Sequence, residues 1–243
     1  MNVKLIIEYD GTAYNGWQRQ KNHPSIQETL ENAIYSITGE KAHIIGSGRT
    51  DAGVHALSQV ANFKTNTRIP LDKLPYAINS KLPEDIVVKH AEKVSEDFHA
   101  RFCAKAKIYT YTIYNAPFSS PLLRNYSYFF SRPLDVEKMQ RAANILIGTH
   151  DFSAFKASGS SVKTTIRCID SLDIKKNGDI IKIEIKSNGF LYKMVRIIAG
   201  TLLEVGLNTI KVEEVDFILK CKDRTRAGKT LPPQGLCLKK VFY

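Results

Sequence analysis

The sequence predicts an α+β protein built from two halves of similar size, each mixing strands with helices. Three observations predict this class. Apolar residues alternate with mostly polar ones over residues 3–9, which is the pattern of a half-buried strand. Asn177-Gly178 separates two stretches rich in β-formers and predicts a hairpin. Apolar residues at helical spacing follow strand patterns in both halves. We place the halves at residues 1–105 and 106–243.

In the first half, the strand at 3–9 is followed by turn signals and then by a helix. Ser25 and Glu28 fit a capping box, and Gly39 can end the helix in the left-handed conformation. We expect further strands near residues 42–45 and 59–63. Three prolines then divide the chain into short pieces.

The second half repeats this mixture. Residues 108–114 are rich in β-formers, and Asp135 can cap a helix closed by Gly148. The predicted hairpin strands cover 169–174 and 180–186. A helix is expected over 191–205, ended by Gly206, and a last alternating strand over 236–242.

Composition narrows the class of protein. No apolar run approaches the roughly 20 residues needed to span a bilayer, and the first residues lack a signal-peptide layout. The four cysteines include no C-x-x-C pair, which argues against a zinc site or a disulfide scaffold. We therefore expect a cytoplasmic protein without a membrane partner.

Charge is unevenly distributed along the chain. Residues 1–100 carry 11 Lys and Arg against 12 Asp and Glu, whereas residues 101–243 carry 24 against 12. A half that basic suits a polyanion such as nucleic acid. The alternative is a solvated basic surface that serves solubility.

One loop stands out as a candidate site, residues 46–55, with the sequence GSGRTDAGVH. It combines three glycines, one carboxylate and one arginine within ten residues. The loop lacks the Lys-Ser/Thr of a P-loop and the G-x-G-x-x-G of a dinucleotide site. Its carboxylate, Asp51, has Glu40 and Asp72 as its nearest acidic neighbours in sequence, so no local cluster for two metal ions exists.

Two interpretations of Asp51 remain from the residues alone. It can act as a lone nucleophile or base. It can also cap a turn or pair with Arg49, because Asp is a common turn former.

The whole chain resembles the tRNA pseudouridine synthase A family, whose members isomerise uridines in the anticodon arm of tRNA. The resemblance covers essentially the full length, and its blocks occur in the family's order. These blocks are residues 9–20, 48–55, 97–102 with 109–111, 189–196, 223–225 and 235–236. Tyr192-Lys193 departs from members that carry histidines there.

The resemblance implies a fold and an activity. The fold is two similar ferredoxin-like or RRM-like halves that form a continuous, mostly antiparallel sheet flanked by helices, with the active cleft between them. The activity is conversion of uridine to pseudouridine at tRNA positions 38, 39 and 40. The family works as a homodimer. Because the reaction gains and loses no atoms, no cofactor and no metal are expected.

The resemblance also assigns roles to residues. Asp51 is the nucleophile; attack at C1′, addition to C6 and removal of a 2′ proton stay open as its first step. Tyr109 stacks on the target base and helps to remove the C5 proton. Arg196 pairs with Asp51, and Phe190 forms a wall of the pocket. Arg49 pairs with Asp51 or inserts into the RNA.

Basic residues outside these positions are candidates for phosphate contacts. For each, a solvated surface charge is the alternative. They are Arg19, Arg101, Lys105, Lys107, Lys220, Lys222, Arg224 and Arg226.

Two other classes of function compete with the enzyme. A non-catalytic protein that binds tRNA or assists its folding would use the same basic half and would not need Asp51. A metal-dependent nuclease or an RNA methyltransferase is disfavoured, because the sequence shows neither a carboxylate cluster nor a glycine-rich cofactor fingerprint.

Overall fold

The computed structural model describes residues 1–159 and 162–243. Across these residues, ten mostly antiparallel strands and five α-helices give the mixed fold that the sequence predicts. In chain order the elements are β1 (Asn2–Tyr9), α1 (Ile26–Thr38), β2 (Ile45–Gly46), β3 (His55–Lys64), α2 (Leu74–Asn79), β4 (Ile86–Val94), β5 (Ala106–Asn115), β6 (Tyr128–Phe130), α3 (Val136–Ile145), β7 (Gly148–Asp151), β8 (Ile166–Asn177), β9 (Ile180–Ser187), α4 (Met194–Gly206), α5 (Glu214–Cys221) and β10 (Leu236–Phe242).

Internal contacts divide the chain into two units. The first contains Met1–Lys105 together with Cys237–Tyr243, and the second contains Ala106–Leu236. The residues after 236 join the first unit because β10 pairs in parallel with β3, with Cys237 opposite His55. The Lys105 N–H also donates to the Phe242 carbonyl at 2.9 Å.

In the first unit, β1 lies between β3 and β4 and pairs antiparallel with both. Leu5 lies opposite Ala61 on one side and Ala91 on the other. The alternating apolar residues of β1 are buried, which confirms the predicted inward face of this strand.

Helix α1 has the predicted Ser25 cap at its start and the predicted Gly39 at its end. The Ser25 hydroxyl accepts the Glu28 N–H at 3.4 Å, and Gly39 takes φ 69° at the C-terminal end. A glycine is favoured there because other residues reach this left-handed conformation only with strain.

In the second unit, β9 lies between β5 and β8 and pairs antiparallel with each. Strand β7 extends the pairing beyond β8, and β6 pairs in parallel with β5. The predicted Asn-Gly turn joins β8 to β9, with Gly178 at φ 56°.

The structure departs from the predicted elements in several places, and β6, β7 and α5 were not predicted. The strand expected near 42–45 is only β2, because the Ile44 N–H donates to the Glu31 carboxylate instead of to a strand. Helix α3 ends at Ile145, and Gly148, at φ 108°, begins β7 instead of closing the helix. The proline-rich stretch holds α2 and precedes β4, neither of which the periodicity indicated.

Helix α4 is covered by residues 224–231, which we call the strap. A Cβ added at Gly200 would lie 1.8 Å from the Lys229 carbonyl oxygen. Nearby, the Gly228 N–H donates to the Thr201 hydroxyl at 2.9 Å. The strap can approach α4 this closely only because position 200 carries no side chain.

We predict that Gly200→Ala destabilises the protein by overpacking, since Lys229 would meet the new methyl group with its backbone. The expected effect is a melting temperature lower by about 5–10 °C, measured by calorimetry. Gly189→Ala is the matched control, because its Cβ would meet only the Arg167 side chain, at 3.5 Å. Equal melting temperatures for the two variants would contradict this packing.

Candidate active site

The loop of residues 46–55 connects β2 to β3, and Gln59 of β3 holds its first residues by hydrogen bonds. The buried Gln59 amide donates to the Gly48 carbonyl at 3.0 Å and accepts the Ser47 hydroxyl at 2.6 Å. The Ser47 N–H donates to the Val60 carbonyl at 2.7 Å. These bonds fix the first part of the loop to β3.

The segment of residues 9–20 packs its backbone against the other side of the loop. A Cβ at Gly11 would lie 2.0 Å from the Val54 oxygen, and one at Gly16 would lie 2.3 Å from the Thr50 oxygen. The Trp17 N–H donates to Thr50 O at 3.1 Å, and Gly53 N–H donates to Tyr14 O at 3.2 Å. The loop is therefore bound to this segment through main-chain atoms.

Asp51 lies at the turn of this loop and is half-buried. Its carbonyl accepts the Val54 N–H at 3.2 Å. The preceding Thr50 is fixed by a 2.8 Å hydrogen bond between its hydroxyl and that of Tyr9. Burial raises the pKa of Tyr9 well above its usual value, so this phenol stays neutral at ordinary pH. The main chain is thus held at Thr50, before Asp51, and at Gly53 and Val54, after it.

In the second unit, Tyr109 lies on the same face of β5 as Tyr111 and is almost fully buried. Its ring meets that of Phe190 edge to face, with centroids 5.0 Å apart and planes at 84°. Such a contact stabilises both ring orientations. The structure therefore brings together the tyrosine and the phenylalanine that the sequence proposes for the pocket.

Arg196 lies in the first turn of α4 and is 9% exposed. Its Nε donates to the Leu231 carbonyl at 2.7 Å, and its own carbonyl accepts the Leu231 N–H at 3.2 Å. Burial raises the pKa of Tyr111, and the positive charge of Arg196 opposes that shift. Arg196 is thus held by the strap at both its main chain and its guanidinium.

The strap is in turn held by Arg224. This guanidinium donates to the Ala227 carbonyl at 3.2 Å and to the Gly228 carbonyl at 3.0 Å, and its second nitrogen donates to Thr230 Oγ1 at 3.0 Å. Desolvation lowers the pKa of Arg224, although an arginine stays charged at any ordinary pH. Arg224 therefore holds the strap through three hydrogen bonds, and its phosphate contact stays a prediction.

The other predicted RNA contacts have varied surroundings. Arg49 is exposed and donates through Nε to Gln18 at 3.2 Å. Arg19 is half-exposed and forms an ion pair with Glu31 at 2.9 Å. Arg101 is exposed beside the Phe102 ring, at 5.6 Å from its centroid.

Two predicted cations on the second unit have acidic partners. Lys220 pairs with Asp216 on α5 at 2.5 Å, and Lys222 pairs with Asp151 at 2.9 Å. The Lys222 ammonium is one of several groups that hold the pKa of Asp151 well below its usual range, the largest being the Thr165 hydroxyl.

Sequence reasoning missed two supports of the loop in the first unit, Gln59 and Tyr9, and one support of Arg196 in the second, the carbonyl of Leu231. Gln59 could have been noticed as a polar residue beside a run of apolar strand residues. Tyr9 was predicted as a strand residue at the start of a family block, without a contact to the loop, and the contacts of a carbonyl cannot be predicted from the sequence.

Two features are absent from the described residues. No group of three or more His, Cys, Asp or Glu side chains within 1–159 and 162–243 is arranged to hold a metal ion. No helix in these same ranges is long and apolar enough to cross a membrane.

Comparison with known proteins identifies relatives along the full length. A family model described as tRNA pseudouridine synthase matches residues 5–103 and 142–243. A tRNA pseudouridine synthase A from Thermoanaerobacter sp. (strain X514) is 61% identical over 242 residues, covering 100% of this chain and 99% of the relative. The proteins of the same name from Acetivibrio thermocellus and Caldicellulosiruptor bescii are 55% and 52% identical, with the same coverage.

We predict that Arg224→Ala loosens the strap, because three hydrogen bonds from a charged donor are lost. The expected change is a loss of about 2 kcal/mol in the free energy of unfolding, together with faster proteolysis within residues 224–231. Arg226→Ala is the matched control, since Arg226 is exposed on the same segment. Equal proteolysis of the two variants would show that Arg224 does not hold the strap.

Proposed function

Since the chain belongs to the tRNA pseudouridine synthase family, it isomerises uridine to pseudouridine in tRNA, and we propose that it does so at positions 38, 39 and 40. The positions follow from the resemblance of its sequence blocks to enzymes of the anticodon arm. A protein that only binds or folds tRNA has no support, because the relatives are named as synthases along their full length.

The observation that carries the mechanism is the way in which the loop around Asp51 is held. Its backbone is bound by Gln59 on one side and by the segment 9–20 on the other. A nucleophile held in one position reaches its target atom without an entropic cost at the moment of reaction. We assign Asp51 as the nucleophile, with attack at C1′, addition to C6 and removal of a 2′ proton as alternative first steps. Each step needs an ionised carboxylate, the form that aspartate takes at neutral pH.

The reaction breaks the N-glycosidic bond, turns the uracil and joins its C5 to C1′. The C5 proton is released when the new C–C bond has formed, and the uracil gains one at N1, so atoms balance. Tyr109 is our candidate for the base contact and for help in that proton removal. Its edge-to-face packing on Phe190 supports a fixed ring orientation.

We propose that Arg196 pairs with the carboxylate of Asp51 in the active cleft. The support is that its guanidinium is buried and oriented by the Leu231 carbonyl. A guanidinium held in one orientation can bind a carboxylate through charge-assisted hydrogen bonds.

Substrate binding is proposed to use exposed cations, including Arg49 and Arg101. Extruding the target base from its stack costs a few kcal/mol, and contacts to phosphates offset that cost. We further propose a homodimer acting in the cytoplasm, as the resemblance to the family suggests.

We predict that Asp51→Ala and Asp51→Asn abolish product formation and leave the Kd for tRNA within about threefold of wild type. The assay is tritium release from tRNA carrying uridine labelled at C5, since that hydrogen leaves in the reaction. Asp72→Asn is the matched control, because Asp72 is an exposed carboxylate beside Lys73.

We predict that the wild-type protein keeps its activity in EDTA, since the proposed reaction needs no metal. Tritium release by an Asp51 variant would remove the nucleophile assignment, and loss of all activity in EDTA would indicate a metal enzyme.

We predict that Tyr109→Phe keeps the base contact and slows the reaction by about 10²–10⁴-fold in single turnover, the usual range for loss of an acid–base group. Tyr109→Leu should also weaken tRNA binding, because the aromatic face is lost. A wild-type single-turnover rate for Tyr109→Phe would exclude the hydroxyl from proton transfer.

A further inference from the structure

The first unit exposes an aromatic turn of which the proposed function uses only Arg101. Phe102 is 75% exposed. Its ring stacks on that of His99, with centroids 4.2 Å apart and planes at 30°, and the Arg101 guanidinium lies 5.6 Å from the Phe102 centroid. We call His99, Arg101 and Phe102 the aromatic platform.

The platform is held rigid by its own backbone. The N–H groups of Arg101 and Phe102 both donate to Nδ1 of His99, at 3.2 and 3.3 Å. The Cys103 N–H donates to the His99 carbonyl at 3.0 Å, closing the turn. The His99 ring is thus fixed beneath Phe102.

The base of the platform is anchored in the core of the first unit. The buried Asn62 of β3 accepts the Ala100 N–H at 2.8 Å and donates to the Phe98 carbonyl at 3.3 Å. Tyr243 donates its hydroxyl to the Ala100 carbonyl at 2.8 Å. An exposed aromatic ring on a turn anchored this firmly is presented to a ligand without an ordering cost.

The chemistry of the platform matches an unpaired nucleotide. A flat aromatic ring in solvent offers a stacking surface for a base, and the adjacent guanidinium can contact a phosphate. A hydrophobic partner protein would leave Arg101 unmatched at the edge of the contact. The charge and the ring together therefore favour RNA.

We propose that Phe102 stacks on an unpaired base of the tRNA while Arg101 contacts a neighbouring phosphate, forming a binding subsite separate from the base that reacts. This inference rests on the proposed function, because it takes tRNA as the ligand. His99 is a positioning residue in this subsite, since it orients the Phe102 ring.

Fluorescence tests the stacking directly. The chain has one tryptophan, Trp17, and it is 2% exposed, so Phe102→Trp adds a reporter at the surface. We expect unmodified tRNA to quench the emission of Phe102→Trp and an RNA duplex without unpaired bases to quench it less. Tyr76→Trp is the matched control, because Tyr76 is 74% exposed in the same unit. Equal quenching of the two variants, or none at Phe102→Trp, would overturn the proposal.

Binding measurements separate stacking from charge. Phe102→Ala should raise the Kd for tRNA by about 5- to 100-fold without changing its salt dependence, since stacking releases no counterions. Arg101→Ala should lower the slope of log Kd against log salt concentration by about one.

The kinetics of Phe102→Ala give a second test. This variant should raise KM and leave the single-turnover rate at saturating tRNA unchanged, and Phe102→Tyr should restore binding. Tyr76→Ala should bind as wild type. A wild-type Kd for Phe102→Ala would overturn the proposal.

Two further outcomes have distinct meanings. If Phe102→Ala alters the oligomeric state in sedimentation, the platform is a protein contact and the RNA subsite is wrong. If wild-type protein releases no tritium from tRNA, the proposed function fails. Product formation by wild type with unchanged tRNA binding by Phe102→Ala would overturn the subsite alone.

Discussion

Direct contact between two stretches of main chain is the constraint on which the candidate site depends. The loop carrying Asp51 meets the segment 9–20 so closely that Gly11 and Gly16 leave no room for a Cβ. Main-chain hydrogen bonds then join Trp17 to Thr50 and Gly53 to Tyr14. A carboxylate on an unsupported glycine-rich loop would move freely. Here the backbone on both sides of Asp51 is held by the fold, so the main chain that carries this carboxylate has a fixed position.

In the second unit, contacts with main-chain atoms hold Arg196 in a similar way. Its guanidinium is oriented by the carbonyl of Leu231, and that carbonyl belongs to a strap fixed by Arg224 and by close packing at Gly200. Several cations of the basic half therefore serve the fold: Arg224 holds the strap, and Lys222 pairs with Asp151.

Local patterns predicted much of the fold. The alternation in β1, the caps of α1 and the Asn-Gly turn depend on neighbouring residues, and the structure confirms each. Predictions failed where a distant residue decides the outcome, as at Ile44, whose N–H is taken by Glu31. The candidate site residues were also only partly predictable. The resemblance indicated Asp51, Tyr109 and Arg196, whose roles stay predictions. Gln59 and the Leu231 carbonyl could not be found, because their importance arises only from contacts made in three dimensions.

The pairing of β10 with β3 has a consequence for how the protein is made. Residues 237–243 complete the first unit, yet the ribosome synthesises them after the whole of the second unit. Cys237 lies opposite His55, which ends the loop of Asp51. Domains that fold during synthesis ordinarily finish from the N-terminal side. Here the unit that contains Asp51 is finished after the other, so a chain interrupted before residue 237 lacks the strand that completes the first unit.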